Sequence, residues 1–185
     1  MNFKKTDLPE VLLLEPRSFP DARGYFFELW NKKRYEDGGI PSGLVQDNVS
    51  SSKKGVLRGL HYQLPCAQGK LVTALSGQIF DAAVDIRKGS PTFGKWISVV
   101  LSEENHHQLY VPPGFAHGFI VLSEEATVLY KVSEYWRPDC ERTLLWNDPD
   151  LGIQWPISIP ILSDKDAKGI KLAEMPAEHI PQWNH

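Results

Sequence analysis

The sequence predicts a mostly β chain, folded as a sandwich or barrel with few helices. Three observations carry this. Short apolar-rich segments are punctuated by turn residues, two segments alternate with the period of a strand, and only two stretches open with helix-capping signals. Many short strands at such spacing suit a sandwich or a closed barrel or jelly roll, which also deals with sheet edges that a loose array would leave open.

Taken in order, Asn31 can cap a short helix over Lys32 to Glu36, stopped by Gly38-Gly39. Lys53-Lys54-Gly55 turns the chain into Val56-Leu57, and Ser76-Gly77 separates Leu71-Val72-Thr73-Ala74-Leu75 from Ile79-Phe80. The clearest strand runs from Gln78 to Arg87. Phe80, Ala82, Val84 and Ile86 take one face, and Ile79, Asp81, Ala83, Asp85 and Arg87 the other. Lys88-Gly89-Ser90-Pro91 ends it, and Pro112-Pro113-Gly114 leads into His117-Gly118-Phe119-Ile120-Val121. A second alternating strand spans Thr127 to Trp136, with Tyr130, Val132, Glu134 and Trp136 on one face. Ser163-Asp164-Lys165-Asp166 can open a second short helix.

The chain has 185 residues, 42% hydrophobic and 23% charged, which fits a single domain over 1–185 with a core that needs no disulfide or metal. A net charge of -3 argues against nucleic acid as the main partner, yet leaves room for a small anionic ligand held by a local Arg/Lys cluster. Two cysteines, Cys66 and Cys140, are too few for a disulfide framework, so a reducing compartment is expected. Val11-Leu12-Leu13-Leu14 is too short for a signal core or a membrane span, and the expected location is the cytoplasm.

Val56-Leu57-Arg58-Gly59-Leu60-His61-Tyr62-Gln63 places an arginine and a histidine three apart on a strand. A straight strand would turn them to opposite faces; Gly59 permits a bulge that brings both to one pocket. A surface arginine beside a hydrogen-bonded core histidine is the ordinary alternative. The six histidines, His61, His106, His107, His117, His179 and His185, also raise the question of a metal centre. The His-x-His pair that alternates onto one strand face is missing, and adjacent His106-His107 point apart, so no metal is expected. Lys70 at a strand start, His117 among apolar neighbours, Tyr130 within a strand and Asp166 as a capping residue each have an ordinary structural explanation as well.

Together these segments resemble one family. Phe19-Pro20-Asp21-Ala22-Arg23-Gly24-Tyr25-Phe26-Phe27-Glu28 is similar to the first block of the dTDP-4-dehydrorhamnose 3,5-epimerase family. Gln46-Asp47-Asn48-Val49-Ser50, Leu57 to Gln63, Gln68-Gly69-Lys70-Leu71-Val72, Phe80 to Arg87 and Val111 to Phe119 come next, in family order. Leu145-Trp146-Asn147-Asp148-Pro149 and Leu162-Ser163-Asp164-Lys165-Asp166 complete the set, from about residue 8 to residue 168. The resemblance implies a cupin-like jelly roll working as a homodimer with neither metal nor nicotinamide. The implied reaction turns dTDP-4-dehydro-6-deoxy-D-glucose into dTDP-4-dehydro-L-rhamnose, in the supply of dTDP-rhamnose for surface polysaccharide.

By the same resemblance His61 matches the general base, Asp166 its paired carboxylate, Tyr130 the general acid and Lys70 a residue near the keto oxygen. Arg23, Glu28, Gln46, Asp47, Asn48, Arg58, Lys70, His117, Glu141 and Lys165 match positions that bind the nucleotide sugar. Two positions depart from the family pattern. Trp136-Arg137 stands where relatives often carry tyrosine, beside the base of the nucleotide, and Thr73 stands where many carry arginine.

These residue types suit the chemistry. Carbons 3 and 5 both flank the carbonyl at carbon 4, so one ketone activates both. A histidine is uncharged near neutral pH and can take a carbon-bound proton, and a neighbouring carboxylate orients it and raises its pKa against the pull of burial. Lys70, with Arg58, suits the enolate oxygen. A tyrosine hydroxyl suits reprotonation from the far face. Four alternatives stay open on sequence: a relative that inverts one carbon only, a ketoisomerase on the same fold, a non-catalytic nucleotide-sugar binding module, and, last, a metal-dependent cupin oxygenase.

Overall fold

The computed structural model describes residues 1–41 and 43–183. Ser42, Asn184 and His185 lie outside the described residues, which leaves five of the six histidines with a described position. Strand succeeds strand along the chain: β1 (Asn2–Lys5), β2 (Leu12–Glu15), β3 (Ser18–Asp21), β4 (Gly24–Phe27), β5 (Gln46–Lys53), β6 (Leu57–Gln63) and β7 (Lys70–Ser76). Then come β8 (Gln78–Asp85), β9 (Trp96–Ser102), β10 (Gln108–Val111), β11 (Phe115–Val121), β12 (Glu125–Val132) and β13 (Glu141–Thr143). Helices α1 (Lys32–Asp37) and α2 (Asp164–Ala167) are short, and two single 3-10 turns lie near the C-terminus.

The strands form a six-stranded sheet in the order β1-β2-β10-β7-β12-β5, a five-stranded sheet in the order β13-β6-β11-β8-β9, and a separate β3-β4 hairpin. Neighbours are mostly distant in sequence and antiparallel, as in a jelly roll. The predicted mostly β fold with few helices is therefore the fold observed. The two sheets face each other over Val72, Ala74, Leu109 and Val128 on one side and Ile79, Ala83, Leu101 and Phe119 on the other.

The five-stranded sheet is covered on its second face too. Leu60, Val84, Ile86 and Ala116 pack there against Leu144, Leu151, Ile153 and Met175 from the C-terminal third. Every residue of β11 is buried as a result, so its sequence shows no alternation. In β8 the expected alternation holds. Ile79 and Ala83 enter the inter-sheet core, whereas Phe80 and Val84, with Ile86 just past the strand, join the outer cluster; β8 ends at Asp85, two residues short of the expected Arg87.

Helix α1 starts where expected, with the Asn31 side chain accepting from Arg34 N–H at 3.1 Å, and runs one residue further than expected before Gly38 ends it. Its Tyr35 packs on Leu14, Leu71 and Tyr110 of the six-stranded sheet. Strand β12 stops at Val132 rather than reaching Trp136. Val132 pairs with Gln46 and Lys70, the first residues of β5 and β7, so the neighbouring strands run out there. Residues 133–136 cross the mouth of the roll as a loop. Among the described residues, no helix is long and apolar enough to cross a membrane.

Candidate active site

A cleft of about 270 Å³ opens between the two sheets. The six-stranded sheet contributes Asn48 and Ser50 from β5, Lys70 from β7, and Tyr130 and Val132 from β12; the five-stranded sheet contributes Arg58 and His61 from β6, and His117 and Phe119 from β11. Glu141 of β13, Lys165 of α2, Gln68 and Trp136 form the rim.

Strand β6 carries the bulge that its glycine allowed. His61 lies opposite His117 and Arg58 opposite Phe119, so three steps on β6 match two on β11. The extra residue turns Arg58 and His61 to the same side. Gly59 has φ +122, and a Cβ there would sit 2.6 Å from Gly118 Cα and 2.8 Å from His117 O. Only a residue without a side chain lets the two strands approach at this point.

His61 Nε2 lies 2.5 Å from Asp166 Oδ1. The other oxygen of Asp166 accepts from Ser163 Oγ–H at 2.8 Å, and Ser163 Oγ accepts in turn from Asp166 N–H at 3.2 Å. The capping role and the histidine-pairing role of Asp166 therefore coexist: the cap fixes the carboxylate that faces the ring. Burial pushes the Asp166 carboxyl up, but His61 and Ser163 outweigh it and hold it below the usual carboxylate range.

The expected rise in the His61 pKa is not found. Burial pulls the imidazole below its ordinary value, Asp166 opposes this without overcoming it, and the cations Lys70 and Lys165 pull the same way as burial. The ring is thereby held neutral at neutral pH. Lys70 Nζ donates to His61 O at 3.1 Å, and burial lowers its pKa to about 8, against the pull of Glu141 and Asp81.

Tyr130 stands on the opposite sheet from His61. Its hydroxyl is 3.0 Å from Ser50 Oγ, and burial pushes its pKa well above the ordinary phenol value, so it stays protonated. Its ring meets those of His117 and Phe119, with centroids at 6.4 and 6.2 Å. His117 is buried and held through Nε2 by both oxygens of Asp81, at 3.0 and 2.9 Å. Asp81 escaped the sequence reading as a site residue. The signal was present: it shares the core face with Ile79 and Ala83, and a carboxylate there requires a partner. Ser50, Gln68 and Phe119 also went unassigned.

The remaining expected residues divide into two groups. Arg58 donates from Nε to Ser52 Oγ at 2.9 Å, Glu141 pairs with Lys165 at 3.0 Å, and all three line the cleft. Gln46 supports the rim, donating to Asn48 Oδ1 at 2.7 Å and accepting from Trp136 N–H at 3.1 Å. Asp47 turns the other way and pairs with Lys131 at 2.8 Å. Arg23 and Glu28 do not reach the cleft of their own chain. Arg23 sits at the tip of the β3-β4 hairpin, paired with Asp21 at 2.6 Å, and Glu28 pairs with Arg34 at 2.8 Å. That hairpin forms its own two-stranded sheet and so is not drawn toward the cleft. Among the described residues, no three His, Cys, Asp or Glu side chains cluster as metal ligands.

The cleft thus joins a histidine paired to a carboxylate on one wall with a protonated phenol on the other, and Arg58, Lys70 and Lys165 line it as well. The family model described as dTDP-4-dehydrorhamnose 3,5-epimerase matches residues 5–174. A dTDP-4-dehydrorhamnose 3,5-epimerase from Pseudomonas aeruginosa is 53% identical over 176 residues, covering 94% of this chain and 97% of that protein. The crystal structure of a 3,5-epimerase from Legionella pneumophila Philadelphia 1 in complex with dTDP-4-keto-L-rhamnose superposes with a TM-score of 0.97 at 48% identity, covering 100% of this chain and 99% of that one. A 3'-monoepimerase from Streptomyces bikiniensis in complex with dTDP-quinovose superposes with a TM-score of 0.89 at 34% identity, covering 96% of this chain and 92% of that one. On the matched family model, the sequence identity and the shared fold, this chain belongs to the dTDP-4-dehydrorhamnose 3,5-epimerase family.

Proposed function

We propose that the chain epimerises dTDP-4-dehydro-6-deoxy-D-glucose at carbons 3 and 5, giving dTDP-4-dehydro-L-rhamnose, by proton transfer between His61 and Tyr130. The observation that carries this is the placement of the His61–Asp166 pair and the Tyr130 hydroxyl on opposing sheets of one cleft. Neutral His61 removes the proton from the carbon beside the ketone, and Asp166 stabilises the imidazolium that forms. The electron pair left on carbon moves to the keto oxygen, where the Lys70 ammonium balances the charge; a well-placed donor in that role is worth about 3–4 kcal/mol. Tyr130 then delivers a proton to the opposite face of the flat enolate, and configuration inverts.

Arg58 suits the diphosphate, since a guanidinium fork matches phosphate oxygens. Trp136 stands at the rim, half exposed, where its ring can stack on the thymine. His117, fixed by Asp81, donates or accepts at the floor beside Tyr130.

The working form in this proposal is a homodimer of single-domain chains in the cytoplasm. Arg23 and Glu28 then serve the cleft of the neighbouring copy rather than their own. Two features support this. The hairpin exposes Phe19, Tyr25 and Phe26 at 49%, 55% and 70%, and the edge strand β5 leaves Val49 62% exposed beside the cleft.

Inversion of carbon 3 alone is the second reading, because the same architecture serves a 3'-monoepimerase. Incubation with dTDP-4-dehydro-6-deoxy-D-glucose, coupled to a reductase that traps the product, decides between them by NMR. A product inverted at both carbons supports the proposal. A product inverted at carbon 3 only supports the second reading, and return of unchanged substrate favours a binding module.

A further inference from the structure

Cys66 and Cys140 take no part in the chemistry proposed for the cleft. They are 74 positions apart in sequence, yet their sulfurs lie 2.8 Å apart, within hydrogen-bond reach. Both are free thiols. Cys66 sits in the turn between β6 and β7, two residues before Gln68. Cys140 closes the 133–140 crossing and directly precedes Glu141 of β13.

The two segments are held together without any help from sulfur. Leu64 N–H donates to Cys140 O at 2.9 Å. The Gln63 side chain donates to Cys66 O at 2.9 Å and Tyr135 O at 3.2 Å, and accepts from Arg137 N–H at 2.7 Å. Gln68 Nε2 donates to Glu134 O at 2.6 Å. The backbone therefore delivers the thiols to one another. Cys66 is half-buried and open to a small reagent, whereas Cys140 is buried behind it.

From this geometry we propose that Cys66 and Cys140 are a reversible dithiol–disulfide site, oxidised by a low-molecular-weight disulfide, that clamps the β6–β7 turn to the rim segment carrying Trp136. The Cys66 thiolate attacks one sulfur of the small disulfide and expels a thiolate, which takes up the proton. Cys140, losing its own proton, then attacks Cys66 Sγ in the mixed disulfide and expels the second small thiol. Two protein thiols are oxidised, and one small disulfide is reduced to two thiols. The neighbouring Cys140 thiol and burial hold Cys66 above the usual thiol range, with Arg137 opposing, so the first attack quickens as pH rises. In a reducing compartment the pair stays open, and it closes when the thiol pool becomes oxidised.

The test uses the full chain treated with oxidised glutathione, then intact mass and peptide mapping without reductant. The expected result is a loss of two hydrogens, no bound glutathione, and a cross-link between the peptides holding Cys66 and Cys140 that dithiothreitol reverses. The cross-linked protein should melt about 5 °C or more higher, because the bond closes a long loop in the unfolded chain. Cys140→Ser should trap glutathione on Cys66, and Cys66→Ser should remain unmodified. Glutathione retained on wild-type Cys66, two thiols still alkylated after oxidation, or a cross-link that leaves Tm unchanged would overturn the proposal. None of these readouts involves substrate, so they stand or fall apart from the epimerase reading.

Discussion

His61 Nε2 meets Asp166 Oδ1 at 2.5 Å across 105 positions of sequence. Strand β6 supplies the ring, a one-turn helix near the C-terminus supplies the carboxylate, and Ser163 locks that carboxylate from behind. Asp166→Asn should keep the shape of this contact but lose the charge that favours imidazolium. Turnover should fall at least ~100-fold with dTDP binding unchanged, as read by steady-state kinetics and calorimetry. Ser163→Ala removes the cap and the second hydrogen bond; it should lower stability by about 1 kcal/mol, read by thermal melts, and reduce kcat far less than Asp166→Asn.

The pH dependence of kcat/KM should be a bell. On the acid side the rate rises as His61 loses its proton, with a midpoint below the ordinary histidine value of about 6.5, because burial lowers it. On the alkaline side the rate falls near the Lys70 pKa of about 8, where the ammonium that balances the enolate is lost. Tyr130 titrates above this window, since its pKa is raised. Lys70→Arg should move the alkaline limb upward. An alkaline limb that stays near 8 in that variant would remove Lys70 from the assignment.

Gly59→Ala should disturb both fold and site. The new methyl would fall 2.6 Å from Gly118 Cα, on backbone that cannot swing aside. A loss of about 2–3 kcal/mol in chemical denaturation is expected, with activity falling because the bulge that turns Arg58 and His61 together is displaced.

Arg58→Lys keeps the charge and loses the planar fork. Affinity for dTDP should weaken about tenfold, roughly 1.4 kcal/mol, while turnover at saturation changes less. Calorimetry with dTDP alone separates this from any effect on proton transfer.

Much of the molecule was legible in the sequence, and the exceptions have physical causes. The alternation of β8, the Asn31 cap and the Ser163 cap are local signals, and all three appear in the fold. The bulge at Gly59 was legible as an option, because a glycine between Arg58 and His61 permits a bend in a strand. The end of β12 was not, since Val132 stops pairing only because β5 and β7 begin there, which no window around Val132 contains. The His61 pKa went the other way from expectation because the depth of the cleft and the nearness of Lys70 and Lys165 are properties of the assembled sheets. Arg23 shows a different limit. The motif that holds it matches the family, but its hairpin leaves it outside the cleft of its own chain.

The most direct measurement compares deuterium uptake from heavy water with net inversion for wild type, His61→Ala and Tyr130→Phe, read by NMR on the nucleotide sugar. Wild type should exchange and invert at carbons 3 and 5. His61→Ala should lose both by at least ~100-fold, and Tyr130→Phe should keep exchange at carbon 5 while inversion fails. Wild-type exchange in His61→Ala, or equal loss of exchange and inversion in Tyr130→Phe, would contradict a base and an acid acting from opposite walls.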